Sequence, residues 1–112
     1  MPGYYGFPII QGMEKHIAHY PLSAIKTIVL EKGARAFTKT ARRNIKLMEL
    51  SLKEAIEVVA KLTPHMLYKS MTSYANHRVW QDVYHASCPN GKTAYIKLTL
   101  CEGTPVIQFK EK

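Results

Sequence analysis

Thr93-Ala-Tyr-Ile-Lys-Leu-Thr-Leu-Cys101, then Glu-Gly-Thr, then Pro105-Val-Ile-Gln-Phe-Lys-Glu111 is the stretch that decides the fold. Ile96, Leu98 and Leu100 alternate with Tyr95, Lys97 and Thr99, and further on Ile107 and Phe109 alternate with Gln108 and Lys110. A period of two puts successive side chains on opposite faces of a strand, so one face is apolar and the other carries Tyr, Lys, Gln and Lys. Glu-Gly-Thr and, upstream, Pro89-Asn-Gly91 are hairpin signals. Strands over about 77–87, 93–101 and 105–111 in an antiparallel meander are therefore expected. A two-residue Glu102-Gly103 turn sets Tyr95 opposite Lys110. A two-residue Asn90-Gly91 loop would set Gln81 opposite Leu100, and a three-residue Pro89-Asn90-Gly91 loop opposite Thr99; the longer loop is the expectation.

Working back toward the N-terminus, Leu22, Ile25, Ile28 and Val29 share one helical face and Gly33 supplies a stop, which predicts a helix over 21–32. From Arg35 to Lys46 the chain carries five cations with no acid between Glu31 and Glu49. The start of that segment, Arg35-Ala-Phe-Thr38, reads as a short strand. Ser51 and Glu54 have capping-box spacing before Leu52, Ala55, Ile56 and Val59, predicting a helix over 52–61. Thr63-Pro64 reads as the start of a short third helix carrying Met66, Leu67, Ser70 and Met71, which would place Lys69 on a helix. Residues 1–12, with three Gly and two Pro, read as an irregular arm ahead of a single domain over 13–112.

A chain of 112 residues can bury one modest core. Sixteen Lys and Arg against eight Asp and Glu give a formal net charge of +8, which favours a polyanionic partner. At 46% hydrophobic residues the charge belongs on a folded scaffold rather than a disordered basic tail. No run of about 18 apolar residues and no secretory signal is present, so a cytoplasmic protein without membrane contact is expected. Cys88 and Cys101 would lie at opposite ends of a hairpin and are expected as reduced thiols; their spacing does not suggest zinc.

The string Tyr68-Lys-Ser-Met-Thr72, the segment from His77 into Trp80-Gln-Asp-Val-Tyr84 and the closing Phe109-Lys-Glu-Lys112 resemble the MqsR family of bacterial toxins. The likeness begins near Met13-Glu-Lys15, is dense after Tyr68 and is thin between Gly33 and Ser51. It implies an α+β, RelE-like small domain, with helices packed on one face of a curved antiparallel sheet that ends in the three-stranded meander. It also implies a metal-independent endoribonuclease without cofactor, which cuts mRNA at short sequence elements without the ribosome and so inhibits translation and growth. The implied partners are an antitoxin of MqsA type, which binds DNA, and promoter DNA reached only through that antitoxin, so that the pair regulates its own operon.

Carried onto this sequence, the family's catalytic residues fall on Lys69, Gln81, Tyr95 and Lys110. The set suits the chemistry. Two lysines can neutralise phosphate charge, a tyrosine beside a cation can move a proton, and a glutamine can orient a hydroxyl or a base. The expected RNA contacts are Arg35, Lys39, Arg42, Arg43, Lys46, Arg78, Tyr84, His85 and Lys97. His85 stands where the family more usually has Arg. His77 and Trp80 are accessory candidates, with burial the expected fate of Trp80. The rival reading is a basic nucleic-acid-binding module, or an inactive toxin homologue, that binds without cutting.

Overall fold

The computed structural model describes residues 13–73, 78–102 and 104–112. The irregular arm expected over 1–12 and the accessory role considered for His77 lie outside the described residues. Five strands, β1 (Glu14–Lys15), β2 (Leu67–Thr72), β3 (Trp80–Ser87), β4 (Thr93–Cys101) and β5 (Thr104–Glu111), form one antiparallel sheet in the order β1-β2-β3-β4-β5. Three helices, α1 (Leu22–Lys32), α2 (Lys39–Leu47) and α3 (Leu52–Ala60), cover one face of it. This is the expected α+β arrangement.

The register of the meander follows from its turns. Ser87 pairs with Thr93, and Cys88 and Lys92 bracket a three-residue Pro89-Asn90-Gly91 loop, closed by the Cys88 amide on the Lys92 carbonyl at 2.8 Å. Gly91 sits at φ +88°, a conformation that costs glycine nothing. The ladder runs to Asp82↔Leu98, which continues Gln81 toward Thr99 as expected. Across the second turn Cys101 pairs with Thr104 and Tyr95 with Lys110. Ala94, Ile96, Leu98, Ile107 and Phe109 then face the helices and are buried with Ile25, Val29, Ile45, Val59 and Leu62.

The helices have local causes. α1 ends at Gly33, φ +57°, and α3 begins at a complete capping box, with Ser51 Oγ accepting from the Glu54 amide (3.0 Å) and Glu54 Oε1 from the Ser51 amide (2.8 Å). The basic segment forms α2, capped by Thr38 Oγ1 on the Ala41 amide, with Ala41 and Ile45 on its buried side. Its sparse apolar positions had not announced it. The strand expected at Arg35–Thr38 is instead a 3-10 turn (Gly33–Ala36) followed by one parallel bridge, Phe37↔Ile107, because Thr38 is needed as the α2 cap.

The largest correction concerns Lys69. The expected third helix is only a 3-10 turn over Pro64–Met66, and Lys69 lies on strand β2. Apolar spacing compatible with a helix was overridden by pairing: β2 is held between β1 and β3, and Ser70 Oγ donates to Asp82 Oδ1 at 2.6 Å inside the sheet. A bulge between Leu67 and Lys69 breaks the alternation, so Tyr68 and Lys69 both serve the solvent face.

Asp82 is fully buried and accepts four further-reaching contacts in all: Ser70 Oγ, the His19 amide at both oxygens (2.9 and 3.0 Å) and the Tyr20 amide (2.9 Å). Removing the acceptor strands buried donors, so Asp82→Ala is expected to lower the unfolding free energy by on the order of 3 kcal/mol and Ser70→Ala by about 1 kcal/mol. Urea unfolding followed by circular dichroism checks this, and an Asp82→Ala curve superimposed on wild type would refute the anchoring role.

Candidate active site

The face of the sheet turned away from the helices is read off the register. One row across the strands is Lys69, Val83, Lys97, Gln108; the next is His85, Tyr95, Lys110, which Tyr68 joins by stacking on His85. Gln81 lies in a third row beside Met71, two residues along β3 from Val83 and so roughly 7 Å from the lysine row. Thus Lys69, Tyr95 and Lys110 come together with Lys97 and His85, while Gln81 shares their face at its edge.

Three rings line up at the centre. Tyr68 stacks on His85 (centroids 4.6 Å apart, planes 21° apart), and His85 leans on Tyr95 (5.5 Å, 39°). The ammonium groups surround them: Lys110 Nζ lies 5.1 Å and Lys97 Nζ 6.0 Å from the Tyr95 ring centroid, and Lys69 Nζ 5.5 Å from that of Tyr68. His85 Nε2 is buried with no hydrogen-bond partner among the described residues. Burial first, and Lys112 second, push its pKa below the ordinary histidine value, so the ring is neutral at pH 7.

The lysines are not equivalent. Glu14 of β1, directly across from Met71, reaches the open face and hydrogen-bonds and ion-pairs with Lys69. That bond holds Lys69 above the ordinary lysine range and Glu14 below the ordinary carboxylate range. Lys97 is pushed down, first by burial and then by repulsion from Lys110 and Lys69. The site thus contains one neutralised cation and a mutually repelling set that an anion would relieve.

Other candidates fall elsewhere. Tyr84, expected as an RNA contact, is 1% exposed on the opposite face, where it pairs with Ile96; burial raises its hydroxyl to about 12. It is a core residue, which corrects the expectation. Trp80 shares that face and is half-buried, stacked on His19 (5.2 Å) with Lys15 Nζ 4.2 Å from its ring centroid, apart from the lysine rows. Lys39, Arg42, Arg43 and Lys46 are exposed on α2, Arg35 on the 3-10 turn and Arg78 just before β3. Tyr68 and Glu14 were not foreseen: a bulge hides the first from a period-two reading, and a two-residue strand has no period at all. Among the described residues no three His, Cys, Asp or Glu side chains converge to hold a metal ion.

Comparison with known proteins bears on the chain as a whole. A family model described as "Motility quorum-sensing regulator, toxin of MqsA" matches residues 17–111. The chain is 35% identical over 100 residues to the mRNA interferase toxin MqsR of Escherichia coli K12, an alignment covering 89% of this chain and the whole of that protein.

The electrostatic asymmetry has a direct readout. In a side-chain NMR titration Lys69 is expected to lose its proton at higher pH than an ordinary lysine and Lys97 at lower pH, and Glu14→Gln should bring Lys69 down while leaving Lys97 the lower of the two. Coincident titrations of Lys69 and Lys97 would contradict the assigned charges.

Proposed function

The chain belongs to the MqsR toxin family, and from that premise we propose that it is an mRNA endoribonuclease whose active site is the open face around Tyr95. The observation that carries the reading is the pair Lys97 and Lys110 at the Tyr95 ring, with Lys69 at the neighbouring Tyr68, on one face of the sheet, an arrangement suited to a phosphodiester. Internal cleavage of RNA needs a proton taken from the 2′-oxygen as it attacks phosphorus and a proton given to the departing 5′-oxygen. The products are a 2′,3′-cyclic phosphate and a free 5′-hydroxyl. In this reading Tyr95 and an adjoining lysine would carry those protons, and Lys69 and Lys110 would hold the phosphate oxygens as negative charge builds. Gln81, one row away, would orient a neighbouring hydroxyl or base rather than touch the phosphorus.

When RNA binds, its phosphate competes with Glu14 for Lys69. His85, neutral and packed between two tyrosines, keeps the Tyr95 ring oriented. The exposed cations of α2 supply a second contact for the backbone, sequence-independent and salt-sensitive.

As a member of a family described as the toxin of MqsA, the chain would act with a cognate antitoxin of that type, reach promoter DNA only through it and share in regulating its own operon. No described helix is long and apolar enough to cross a membrane, and an mRNA substrate would be met in the cytoplasm.

Lys69→Ala, Tyr95→Phe and Lys110→Ala are each expected to reduce cleavage of a labelled, ribosome-free mRNA in EDTA by about ten- to a thousandfold, with thermal midpoints unchanged. Intact RNA with the wild-type protein, together with salt-sensitive binding, would replace this reading with a non-catalytic RNA-binding one. Loss of activity and folding in parallel would mark the three residues as structural.

A further inference from the structure

Beside the lysines runs a groove of about 370 Å³ that shares Tyr95 and Lys110 with the cleavage site but whose α2 wall and Gln108 have no part in the cleavage chemistry. Thr40 and Asn44 of α2 line one side, and Tyr95, Lys97, Gln108 and Lys110 the other. Its volume is in the range of about 300–1,000 Å³ common for small-ligand sites. Its width is set by two bonds to β5 carbonyls: the Thr38 amide donates to the Ile107 carbonyl at 3.0 Å and the Asn44 side chain, through Nδ2, to the Phe109 carbonyl at 3.0 Å, so α2 is clamped along β5. The wall is therefore built before any ligand arrives.

The lining is chemically mixed in an informative way. Lysines bind the phosphates of every sequence alike, and a surface meant only to hold the backbone needs nothing else. Here an amide (Gln108) and a hydroxyl (Thr40) stand next to the cations, and neither has a hydrogen-bond partner among the described residues. An amide presents donors and an acceptor together, the combination that pairs with a base edge, and the aromatic ring of Tyr95 offers a stacking face. Gln108 lies across the strand from Lys97, one row from Tyr95 and Lys110, so a nucleotide adjoining the cleaved phosphate would reach it.

We propose that this groove is the base-reading subsite: it takes the base of one single-stranded nucleotide next to the cleaved phosphate, stacks it on Tyr95, and selects it through Gln108 with Thr40. This rests on the open face being the RNA site, but it goes beyond cleavage to assign sequence preference to two side chains with no part in the proton transfers.

The test is equilibrium binding of short, labelled oligoribonucleotides that are 2′-O-methylated throughout, so that no attacking hydroxyl exists, with the base varied at each position in turn. Wild type is expected to separate the best from the worst base at one position by about ten- to a hundredfold, as one paired amide–base contact can provide. Gln108→Leu should reduce that ratio to about threefold or less, Thr40→Val should reduce it partly, and Gln108→Glu should change which base is preferred. Lys97→Ala should instead weaken all sequences together. An unchanged ratio in Gln108→Leu and Thr40→Val, or no base preference in wild type, would overturn the proposal. Cleavage plays no part in this assay, so base selection that persists in a protein unable to cut ordinary RNA would refute the nuclease reading and leave the subsite standing. Thermal midpoints of the variants separate loss of preference from loss of fold; Thr40 and Gln108 are exposed and Lys97 is half-buried.

Discussion

One buried carboxylate ties the sheet to the segment that precedes it. Asp82 points into the helix-covered side of β3, where a lone charge would be expensive, and its cost is offset by donors from three places: the Ser70 hydroxyl of β2 and the His19 and Tyr20 amides after β1. The same region is stitched by Tyr20 Oη donating to the Trp80 carbonyl (2.8 Å) and by Met13 and Thr72, which exchange hydrogen bonds at 2.8 and 2.9 Å. A two-residue strand could not hold its register alone. Anchored in this way, β1 delivers Glu14 to Lys69, and a contact on the core side thereby sets the charge on the open side.

The open face shows why a basic protein of this size folds despite its cations. Glu14 compensates Lys69, Val83 is buried in the row between Lys69 and Lys97, and the tyrosine–histidine stack separates other charges. Lys97 is left under strain, its charged form disfavoured by burial and by its neighbours. An anion bound there would relieve that repulsion. Helix α2 extends the cationic surface past the sheet edge and makes one wall of the groove.

How much of this could be read from the sequence depended on whether neighbours in sequence are also neighbours in space. Tyr95 opposite Lys110 follows from a short turn and strict alternation, and both held. Gln81 toward Thr99 required only the three-residue loop. That same register places Tyr84 opposite Ile96 on the apolar face, so the expectation of an exposed Tyr84 failed although the information to correct it was present; β3, with Val83 and Tyr84 both buried, lacks the clean alternation that would have made it obvious. Leu67, Ser70 and Met71 also fit helical spacing, which predicts a helix at Lys69, and only the partners on either side of β2 decide for the strand. The bulge at Tyr68 and the reach of Glu14 are products of tertiary contact.

In the proposed complex RNA lies across the open face, over Tyr95 and against α2. Backbone and side-chain NMR shifts of the labelled protein, titrated with a single-stranded RNA carrying a 2′-O-methyl group at the cleaved nucleotide, test it most directly. Perturbations are expected at Lys69, His85, Tyr95, Lys97, Gln108 and Lys110 and along the first turns of α2. Shifts confined to the opposite side, around His19 and Trp80 or along α1 and α3, would contradict it.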